Sequence, residues 1–513
     1  MLQAFQWELP ADGGHWRRLM WQAFRLSRAG VTAMWLPPAC KGCGGASDVG
    51  YGVYDLYDLG EFDQKGSVRT KYGERADYLR LMRTLRYARV QALPDVVLNH
   101  RLGADEAEDV TVCREDPEHR GQGGAEQPAR VFTRFTFPGR GEKYSSFRWD
   151  ARCFTGVDWD EASHETGLYR LQGKAWARDV DGEKGNFDYL MGADVDVCCP
   201  EVRAELIRWG NWYADLTGCD GFRLDAVKHI SASFYRDWLA ALRDHAGREL
   251  FAVGEYWRPE VDALLGYLDS VDCAMSLFDV PLHFHLREAS ESGGRYDMRR
   301  LFEDTLVGCR PHLAVTFVDN HDTQPGQSLQ SWVAGWFKPA AYGLLLLRAF
   351  GYPCVFWGDL YGVPTRQIGR VEALPLLMRL RRLNAHGEEH DYFDHPSVIG
   401  FTREGVEEAP GSGLAFLCTC GEAGRKEMYA GRRFAGRRFR CALGGQEAVT
   451  IDRNGCGVFT VAAGGCSVYV PELTRGEMIL RAAAEAVRLV DIEKRRAALL
   501  ASLLRREGPE REG

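Results

Sequence analysis

Three carboxylates stand at the ends of short apolar runs, and they are the side chains of this sequence best suited to acid–base or nucleophilic chemistry. They are Asp225, Glu255 and Asp322, in GFRLDAVKH, LFAVGEYW and AVTFVDNHD. An apolar run of about five residues that stops at an acid and a turn is typical of a buried parallel strand that presents its last side chain at a rim. Carboxylates paired there could cleave a glycosidic bond, because one protonates the leaving oxygen while the other attacks the sugar carbon.

The elements that must position these acids are eight strand-like runs with helical stretches between them. The strands are predicted at 2–7, 31–37, 90–100, 221–225, 250–255, 273–279, 314–320 and 353–359. Helical periodicity fills most of the gaps, for example at 75–90 and 201–216. This α/β order predicts a (β/α)8 TIM barrel, in which functional residues lie at the C-terminal ends of the strands.

The spacing of the strands predicts a domain organisation around that barrel. The gap between the third and fourth strands, about 120 residues, is far longer than an ordinary connection. We therefore expect an excursion domain over the rim at 101–200, inserted into a barrel formed by 1–100 and 201–390. Short alternating strands with glycines at 391–473 predict a C-terminal antiparallel β-sandwich.

The last segment, 474–513, predicts an appended amphipathic helix. It opens with a capping-box pattern, Thr474 followed by Glu477, and a Gly508-Pro509 pair predicts its stop. Apolar residues recur along one predicted face, at Ile479, Ala483, Val487, Val490, Ala497, Leu500 and Leu504. An isolated helix of this kind is marginal in water, so we expect the stripe to pack against the barrel or sandwich, or to mediate self-association or partner binding.

Charge and cysteine content limit the partners and the compartment. Lys and Arg number 64 against 72 Asp and Glu, a formal net charge of −8, which argues against nucleic acid or an anionic membrane as a partner. The 15 cysteines show no disulfide framework, and the start MLQAFQW has no secretory signal pattern. The longest apolar stretch, near 341–350, is too short to span a bilayer. We therefore expect a cytoplasmic protein.

Four motifs carry a family resemblance. DVVLNH (95–100), GFRLDAVKH (221–229), GEYW (254–257) and FVDNHD (317–322) resemble, in order, the four signatures of glycoside hydrolase family 13. From about residue 2 to 472 the chain is similar to α-amylases of the liquefying bacterial and intracellular branch. The resemblance implies endo-acting, retaining hydrolysis of α-1,4 bonds in starch, glycogen or maltodextrins. The alternatives are a transglycosylase of the same family and, from another class, an inactive glycan-binding scaffold.

The resemblance also implies a role for each acid. Asp225 would be the nucleophile of a covalent glycosyl-enzyme, Glu255 the general acid and then base, and Asp322 the residue that holds sugar hydroxyls. Arg223 lies two residues before Asp225, hence on the same face of the strand, and is expected to keep the nucleophile ionised. Retaining enzymes need the two acids about 5–5.5 Å apart, a distance that neighbouring strand ends can meet.

Further residues are expected, from the resemblance, to contact the substrate. Tyr51 would be the stacking platform for the sugar at the cleavage point, and His100 and His321 would donate hydrogen bonds to that sugar. The pair Lys228–His229 would grip the glucose on the leaving-group side. Trp257 could be either a platform or simple packing at the rim.

A single structural calcium ion is expected to join the excursion to the barrel. Its ligands would be Asn99, Asp188, Asp194 and the backbone carbonyl of His229. These oxygen donors suit a hard divalent ion, and the resemblance implies the same site. Liquefying relatives that carry a further multi-ion cluster need two more aspartates, but those positions read Thr155 and Ala177. We therefore expect one calcium ion and no multi-metal cluster.

Overall fold

Eight parallel strands close into a barrel, as predicted. The computed structural model describes the backbone of residues 1–506 and the side chains of residues 1–502, so the Gly508-Pro509 stop lies outside the described residues. The barrel strands are β1 (Leu2–Gln3), β2 (Ala33–Leu36), β3 (Gln91–Val96), β4 (Gly221–Leu224), β5 (Phe251–Gly254), β6 (Ser276–Phe278), β7 (Ala314–Phe317) and β8 (Tyr352–Phe356). Each strand overlaps one of the predicted runs, and β8 pairs with β1 to complete the ring.

Helices cover the outside of the barrel and continue beyond it. They are α1 (His15–Ala29), α2 (Arg75–Ala88), α3 (Pro200–Thr217), α4 (Ala232–Ala246), α5 (Val261–Ser270), α6 (Val280–Glu291), α7 (Leu306–Cys309), α8 (Lys338–Leu347), α9 (Trp357–Tyr361), α10 (Leu374–Leu383) and α11 (Arg475–Arg506). The amphipathic pattern explains why they lie there, since α1 and α2 bury the apolar positions Leu19, Ala23, Leu81 and Leu85 towards the strands.

The barrel interior is filled by every second residue of the strands. Trp35, Leu93, Val253 and Val315 belong to one buried cluster, whereas their chain neighbours pack outward against the helices. This alternation is the ordinary two-residue period of a strand. It also places Arg223 inside the barrel, because both neighbours of that residue belong to the outer cluster.

The excursion predicted between the third strand and the third helix is present. Its main element is a four-stranded antiparallel sheet in the order Glu126–Arg134, Glu106–Glu115, Glu165–Leu171, Gly156–Asp160. A short antiparallel pair, His100–Arg101 with Ala193–Asp194, brings the beginning and the end of the excursion together. The excursion is therefore fastened to the barrel directly beyond the end of β3.

The segment after α10 forms the predicted antiparallel sandwich. One sheet has six strands, in the order Glu389–Tyr392, Val398–Arg403, Leu414–Thr419, Cys466–Pro471, Arg438–Cys441, Val449–Thr450. A second sheet consists of Gly424–Tyr429 and Cys456–Val461. Met428, Phe439, Phe459 and Tyr469 pack together between the two sheets and form the core of this unit.

The appended helix α11 begins at the predicted capping box. The Glu477 backbone N–H donates to Thr474 Oγ1 at 3.2 Å, and the Thr474 N–H donates to Glu477 Oε2 at 2.8 Å. Arg437 of the sandwich also donates to both Glu477 carboxylate oxygens, at 2.8 and 2.7 Å. The start of α11 is thus tied to the sandwich by reciprocal hydrogen bonds and an ion pair.

The expectation that the predicted apolar stripe packs against the barrel or sandwich is wrong. The helix does pack on α1 and α2, but it does so through Ile492, Leu499 and the arginines on that side. Most of the predicted stripe lies on the opposite face, where Ile479, Ala483, Val487, Val490 and Ala497 are exposed, whereas the exposed Leu500 lies at the edge of the contact with α1 and α2. The side chain of Leu504 lies outside the described part. The helix therefore docks with one face and leaves a second apolar face open.

Candidate active site

The ends of β4 and β5 bring the central acids together. Strands β4 and β5 pair in register, with Leu224 opposite Gly254, so Asp225 and Glu255 follow at adjacent positions of the rim. Asp225 continues the inward alternation from Arg223, and Glu255 continues it from Val253. The two acids therefore lie at neighbouring positions of the rim, at the ends of adjacent strands.

One buried guanidinium connects the acids. Arg223 Nη1 lies 2.5 Å from Asp225 Oδ1, and Arg223 Nη2 lies 2.8 Å from Glu255 Oε2. The second Glu255 oxygen, Oε1, is buried and has no hydrogen-bond partner among the described residues. One carboxylate oxygen of Glu255 is thus anchored, while the other is available to a group that enters the site.

Asp95 is a member of this cluster that the sequence reasoning did not single out. Its carboxylate accepts a 2.9 Å hydrogen bond from Arg223 Nη1, another from Trp35 Nε1 at 2.9 Å, and a third from the Tyr51 hydroxyl at 2.8 Å. Burial raises the pKa of Asp95 to about 7, although Arg223 opposes that shift. The signal in the sequence was a lone acid inside the apolar strand LPDVV.

The third acid, Asp322, lies in the loop after β7, next to a stack of flat rings. The Tyr51 and His321 rings are parallel within 10° and 5.1 Å apart between centroids. Trp7, which the sequence reasoning also missed, stacks against both rings with centroids 5.8 Å away. Asp322 Oδ2 is 3.2 Å from His321 Nε2, but the two atoms are not aligned for a hydrogen bond. The histidine therefore keeps a free ring nitrogen at the rim.

Burial dominates the electrostatics of the three acids. It raises the pKa of Asp225, of Glu255 and, furthest, of Asp322, whose pKa lies well above its usual value. Arg223 lowers the pKa of all three acids but does not cancel the effect of burial. The expectation that the guanidinium holds the pKa of Asp225 low therefore needs correction, because burial outweighs Arg223. Burial thus favours the protonated form of each carboxyl, and Arg223 favours the ionised form.

Burial favours the neutral form of the two rim histidines His100 and His321. Burial lowers the pKa of His100, and lowers that of His321 well below its usual value. His100 Nε2 lies 2.9 Å from the backbone oxygen of Tyr51, and His321 Nδ1 lies 3.0 Å from Gln3 Nε2. These contacts fix the orientation of both rings beside the acids.

Lys228, His229 and Trp257 lie beyond the acids on the β4 and β5 side. Lys228 Nζ donates to Glu183 Oε2 at 2.9 Å and to the Trp257 carbonyl at 3.2 Å. His229 Nδ1 lies 2.8 Å from the carbonyl of Phe187. Glu183, a residue of the excursion, is a further group at this position that the sequence reasoning did not identify. The excursion thus helps to position the pair Lys228–His229.

Trp257 is half-buried and packs against other rings. Its centroid lies 5.8 Å from that of His283, 5.9 Å from Phe284 and 6.4 Å from Phe317. Of the two roles left open by the sequence, these contacts favour packing at the rim over a free stacking platform.

The residues predicted to hold calcium converge beyond β3. Asn99 Nδ2 lies 2.8 Å from the His229 carbonyl, 3.5 Å from the Asp188 carbonyl and 3.5 Å from Asp194 Oδ1. Asp194 Oδ2 is buried without a hydrogen-bond partner in the described chain. Burial raises the pKa of Asp188 to about 7 and that of Asp194 further, and their mutual repulsion adds to the Asp194 shift. Several oxygens around one point and an uncompensated acid pair fit a hard divalent cation.

A second group of candidate metal ligands lies in the C-terminal sheet, outside the predicted set. It consists of Glu388, His390 and Glu404, with donor atoms within 4.8 Å of one another. His390 Nε2 is 2.6 Å from Glu404 Oε1, so an ordinary histidine–glutamate pair explains the contact. We give preference to the Asn99 site, because one of its own predicted ligands, Asp194, has a buried carboxylate oxygen without a hydrogen-bond partner among the described residues.

Comparison with known proteins decides the family. A family model described as "Alpha amylase, catalytic domain" matches residues 25–374. The α-amylase of Geobacillus stearothermophilus is 52% identical over 481 residues, which cover 92% of this chain and 87% of the relative. The chain belongs to the α-amylase family. As a member of that family, glycoside hydrolase family 13, it is an enzyme that hydrolyses α-1,4-glucan bonds.

Other relatives agree with this family assignment. The α-amylase of Bacillus licheniformis is 49% identical over 92% of this chain and 93% of its own length. A protein named cytoplasmic α-amylase from Escherichia coli (strain K12) is 43% identical over 92% of this chain and 98% of its own length. A solved α-amylase from Anoxybacillus aligns with a TM-score of 0.60 at 18% identity, over 92% of this chain and 97% of that one, and shares the fold.

Proposed function

We propose that this α-amylase is an endo-acting, retaining enzyme for starch, glycogen or maltodextrins, with Asp225 as nucleophile and Glu255 as acid/base. The observation that carries the proposal is the shared contact of both acids with Arg223 at the ends of adjacent strands. Two carboxyls so placed suit the short separation that a retaining mechanism requires.

In the first step, Glu255 gives its proton to the glycosidic oxygen while Asp225 Oδ attacks the anomeric carbon. The bond to the leaving sugar breaks and a covalent glycosyl ester forms on Asp225. In the second step, Glu255 takes a proton from water, the water attacks the same carbon, and Asp225 leaves. The raised pKa of Glu255 supports its role as the acid, and its free oxygen Oε1 is the one available for proton transfer.

Asp322 and the ring stack would hold the sugar at the cleavage point. The strongly raised pKa of Asp322 allows its carboxyl to donate a hydrogen bond to a sugar hydroxyl as well as to accept one. His321, whose pKa burial holds well below its usual value, has a ring nitrogen without a hydrogen-bond partner among the described residues, which suits it to contact a hydroxyl. Tyr51, held by Asp95, offers a flat face for stacking. Lys228 and His229 would contact the sugar on the leaving-group side.

We further propose one structural calcium ion. Asn99, Asp188, Asp194 and the carbonyl of His229 would hold it, and an ion there would join β3, the excursion and the segment after β4. When bound, calcium supplies the positive charge that the two buried aspartates lack. This role is structural, and no reaction step depends on it.

The surroundings of that site support a single ion. Ala177 has no side-chain oxygen, its backbone N–H donates to Asp188 Oδ2 at 2.9 Å, and its carbonyl accepts from Asn186 Nδ2 at 2.6 Å. The nearby carboxylate of Asp196 is 2.6 Å from Lys174 Nζ, so a side-chain ammonium already balances its charge. A second divalent ion would therefore have to compete with the Lys174 ammonium group for the Asp196 carboxylate.

We also propose that the enzyme works in the cytoplasm and associates with itself. The relative named cytoplasmic α-amylase supports the compartment, as do fifteen cysteines that are all free thiols. Among the described residues, no helix is long and apolar enough to cross a membrane. The exposed apolar face of α11 supports self-association, because contiguous apolar surface often marks an interface.

The test of the proposed reaction is the configuration and length of the first products. NMR spectra taken in the first minutes of maltoheptaose and soluble-starch digestion should show newly formed α-anomers, and starch should first yield a mixture of oligosaccharides. Asp225→Asn protein is the control. An initial β-anomer would refute the retaining mechanism, and release of one short product from chain ends would refute endo-action. Transfer products in place of reducing ends would favour the transglycosylase.

A further inference from the structure

A cavity remote from the catalytic rim lies where α11 docks on the barrel helices α1 and α10. Its volume is about 590 Å³, within the range of roughly 300–1,000 Å³ that is usual for small-molecule sites. Five arginines line it, together with a single carboxylate: Arg25, Arg28, Arg379, Arg382, Arg481 and Glu485. The walls are thus strongly cationic in a protein whose formal net charge is −8.

The single carboxylate does not neutralise this cavity. Glu485 is engaged by Arg382 through two hydrogen bonds, at 2.8 and 3.2 Å. Within the part of the chain that the structure describes, the other four arginines have no carboxylate within 4.0 Å. The pKa of Arg481 is lowered by burial and by the charges of Arg379 and Arg382, as expected where guanidinium groups face one another without a counter-ion.

The helix dipoles account for only part of the cluster. Arg28 and Arg382 lie in the last turns of α1 and α10, where the partial negative charge of a helix end favours a cation. Arg481, in contrast, lies near the N-terminal end of α11, where the dipole gives a cation no support. Its guanidinium nevertheless reaches across to the carbonyls of Leu383 and Gly411, at 2.9 and 3.2 Å, which holds it in the cavity wall.

The rest of the lining is apolar, which restricts the kind of anion. Leu383, Leu473 and Met478 contribute to the wall between the arginines. A bare inorganic ion would leave this surface unused, whereas a phosphate ester could place its phosphate on the guanidinium groups and its organic body against the apolar wall. Guanidinium groups match phosphate oxygens with paired N–H donors, which makes arginine well suited to phosphate recognition.

We propose that this cavity is a binding site for a phosphorylated small organic molecule. Its phosphate would lie between Arg25, Arg379 and Arg481, and its organic body against Met478. Because α11 supplies one wall and the barrel supplies the others, the bound ligand would also fasten α11 to the barrel. A ligand that binds only the folded state raises the thermal midpoint as its concentration rises above its Kd.

The test is isothermal titration calorimetry on the full chain with three probes: glucose 6-phosphate, ATP and inorganic pyrophosphate, at constant ionic strength with glucose as the uncharged control. We expect at least one of the two organic phosphates to bind more tightly than pyrophosphate, and glucose not to bind here. The double variant Arg25→Gln/Arg379→Gln removes two exposed guanidinium groups that have no ion pair, and should weaken that binding about tenfold or more.

Two further variants test whether binding takes place in this cavity. Arg440→Gln removes an exposed arginine without an ion pair on the C-terminal sheet, and should bind as the wild type does. Met478→Glu puts a negative charge into the wall at a residue that is half exposed, so the fold should survive while binding weakens. The site would be overturned if no probe binds at millimolar concentration, or if the double variant binds as tightly as the wild type. It would also be overturned if Arg440→Gln loses as much affinity as the double variant. Pyrophosphate binding as tight as that of the organic probes would overturn the organic-ligand assignment.

Discussion

Arg223 donates a 2.9 Å hydrogen bond to Asp95, a fully buried carboxylate that lies behind the two acids proposed for catalysis. The same nitrogen, Nη1, contacts Asp225, so Asp95 and the proposed nucleophile share one guanidinium group. Asp95 does not belong to the rim itself. It is placed as a positioning residue, because it accepts a hydrogen bond from the Arg223 nitrogen that also contacts Asp225.

Asp95→Asn should therefore shift the acid limb of the kcat/KM profile to lower pH. In the proposed mechanism, activity needs ionised Asp225 and is lost as pH falls through the pKa of that group. Asp95 competes with Asp225 for Arg223 Nη1, so replacing it leaves this donor to the proposed nucleophile; the pKa of Asp225 then falls and the loss moves to more acidic pH. The measurement is the pH profile on maltoheptaose, with Asp279→Asn, a buried helix-capping acid, as the control for general destabilisation. An acid limb that stays in place would contradict this role.

Amide replacement of the three central acids should abolish turnover while the fold persists. Asp225→Asn, Glu255→Gln and Asp322→Asn should each reduce kcat by roughly 10³-fold or more, because each removes a group that acts mainly in the transition state. Stopped assays on soluble starch measure the loss, and circular dichroism shows whether the barrel remains. If Asp225→Asn protein keeps a substantial fraction of the activity, another group is the nucleophile.

The barrel and the main acids could be predicted because their signals are local. Buried parallel strands appear as continuous apolar runs, and a run that ends in an acid places that acid at the rim. Asp225 and Glu255 met this condition. Asp95 and Trp7 could not be assigned in the same way, since their roles depend on contacts with Arg223 and Tyr51, which are remote along the chain.

The orientation of α11 shows a second limit of sequence reasoning. Periodicity identified one apolar stripe, but it could not show which face of the helix meets the barrel. The packed face carries Arg488 and Arg495 beside Ile492 and Leu499, and their guanidinium groups donate to backbone carbonyls of the barrel helices. The aliphatic part of an arginine side chain covers apolar surface while its guanidinium group donates to backbone carbonyls. A helix face that is polar in sequence can therefore pack against the barrel helices.

Calcium content should be close to one equivalent per chain after dialysis, and a chelator should lower the thermal midpoint. Without the ion, Asp188 and Asp194 face each other in a buried site with no adequate positive charge. Asp194→Asn should lose the ion and the response to chelator. Asp160→Asn, which alters a turn-capping acid in the excursion sheet, should keep both the calcium ion and the response to chelator. Two retained equivalents, or a midpoint that chelator does not change, would contradict a single structural ion.

The capping pair of α11 should make the helix sensitive to acid. Hydrogen bonds from Arg437 lead the effects that lower the pKa of Glu477 from 4.5 to about 2. A lowered pKa means that the stabilisation is fully present above about pH 4.5 and is lost as pH falls through about 2. Glu477→Gln should therefore speed hydrogen exchange at the start of α11 near pH 6, and the difference from wild type should shrink towards pH 2. Glu493→Gln, a change at an exposed glutamate of the same helix, should leave that exchange unchanged.

The open face of α11 should cause the chain to associate with itself. Val487 is 72% exposed and Ile479 61% exposed, on the side of the helix opposite the barrel contact. Pairing two such faces would remove both from water, which favours a dimer as concentration rises. Light scattering should show a mass that increases with concentration for the full chain. The double variant Val487→Glu/Val490→Glu and a chain that ends at Glu472 should both remain monomeric. Arg475→Gln, a control at the start of the helix, should behave as the wild type. A monomeric full chain at every concentration would show that this face is not a self-association surface.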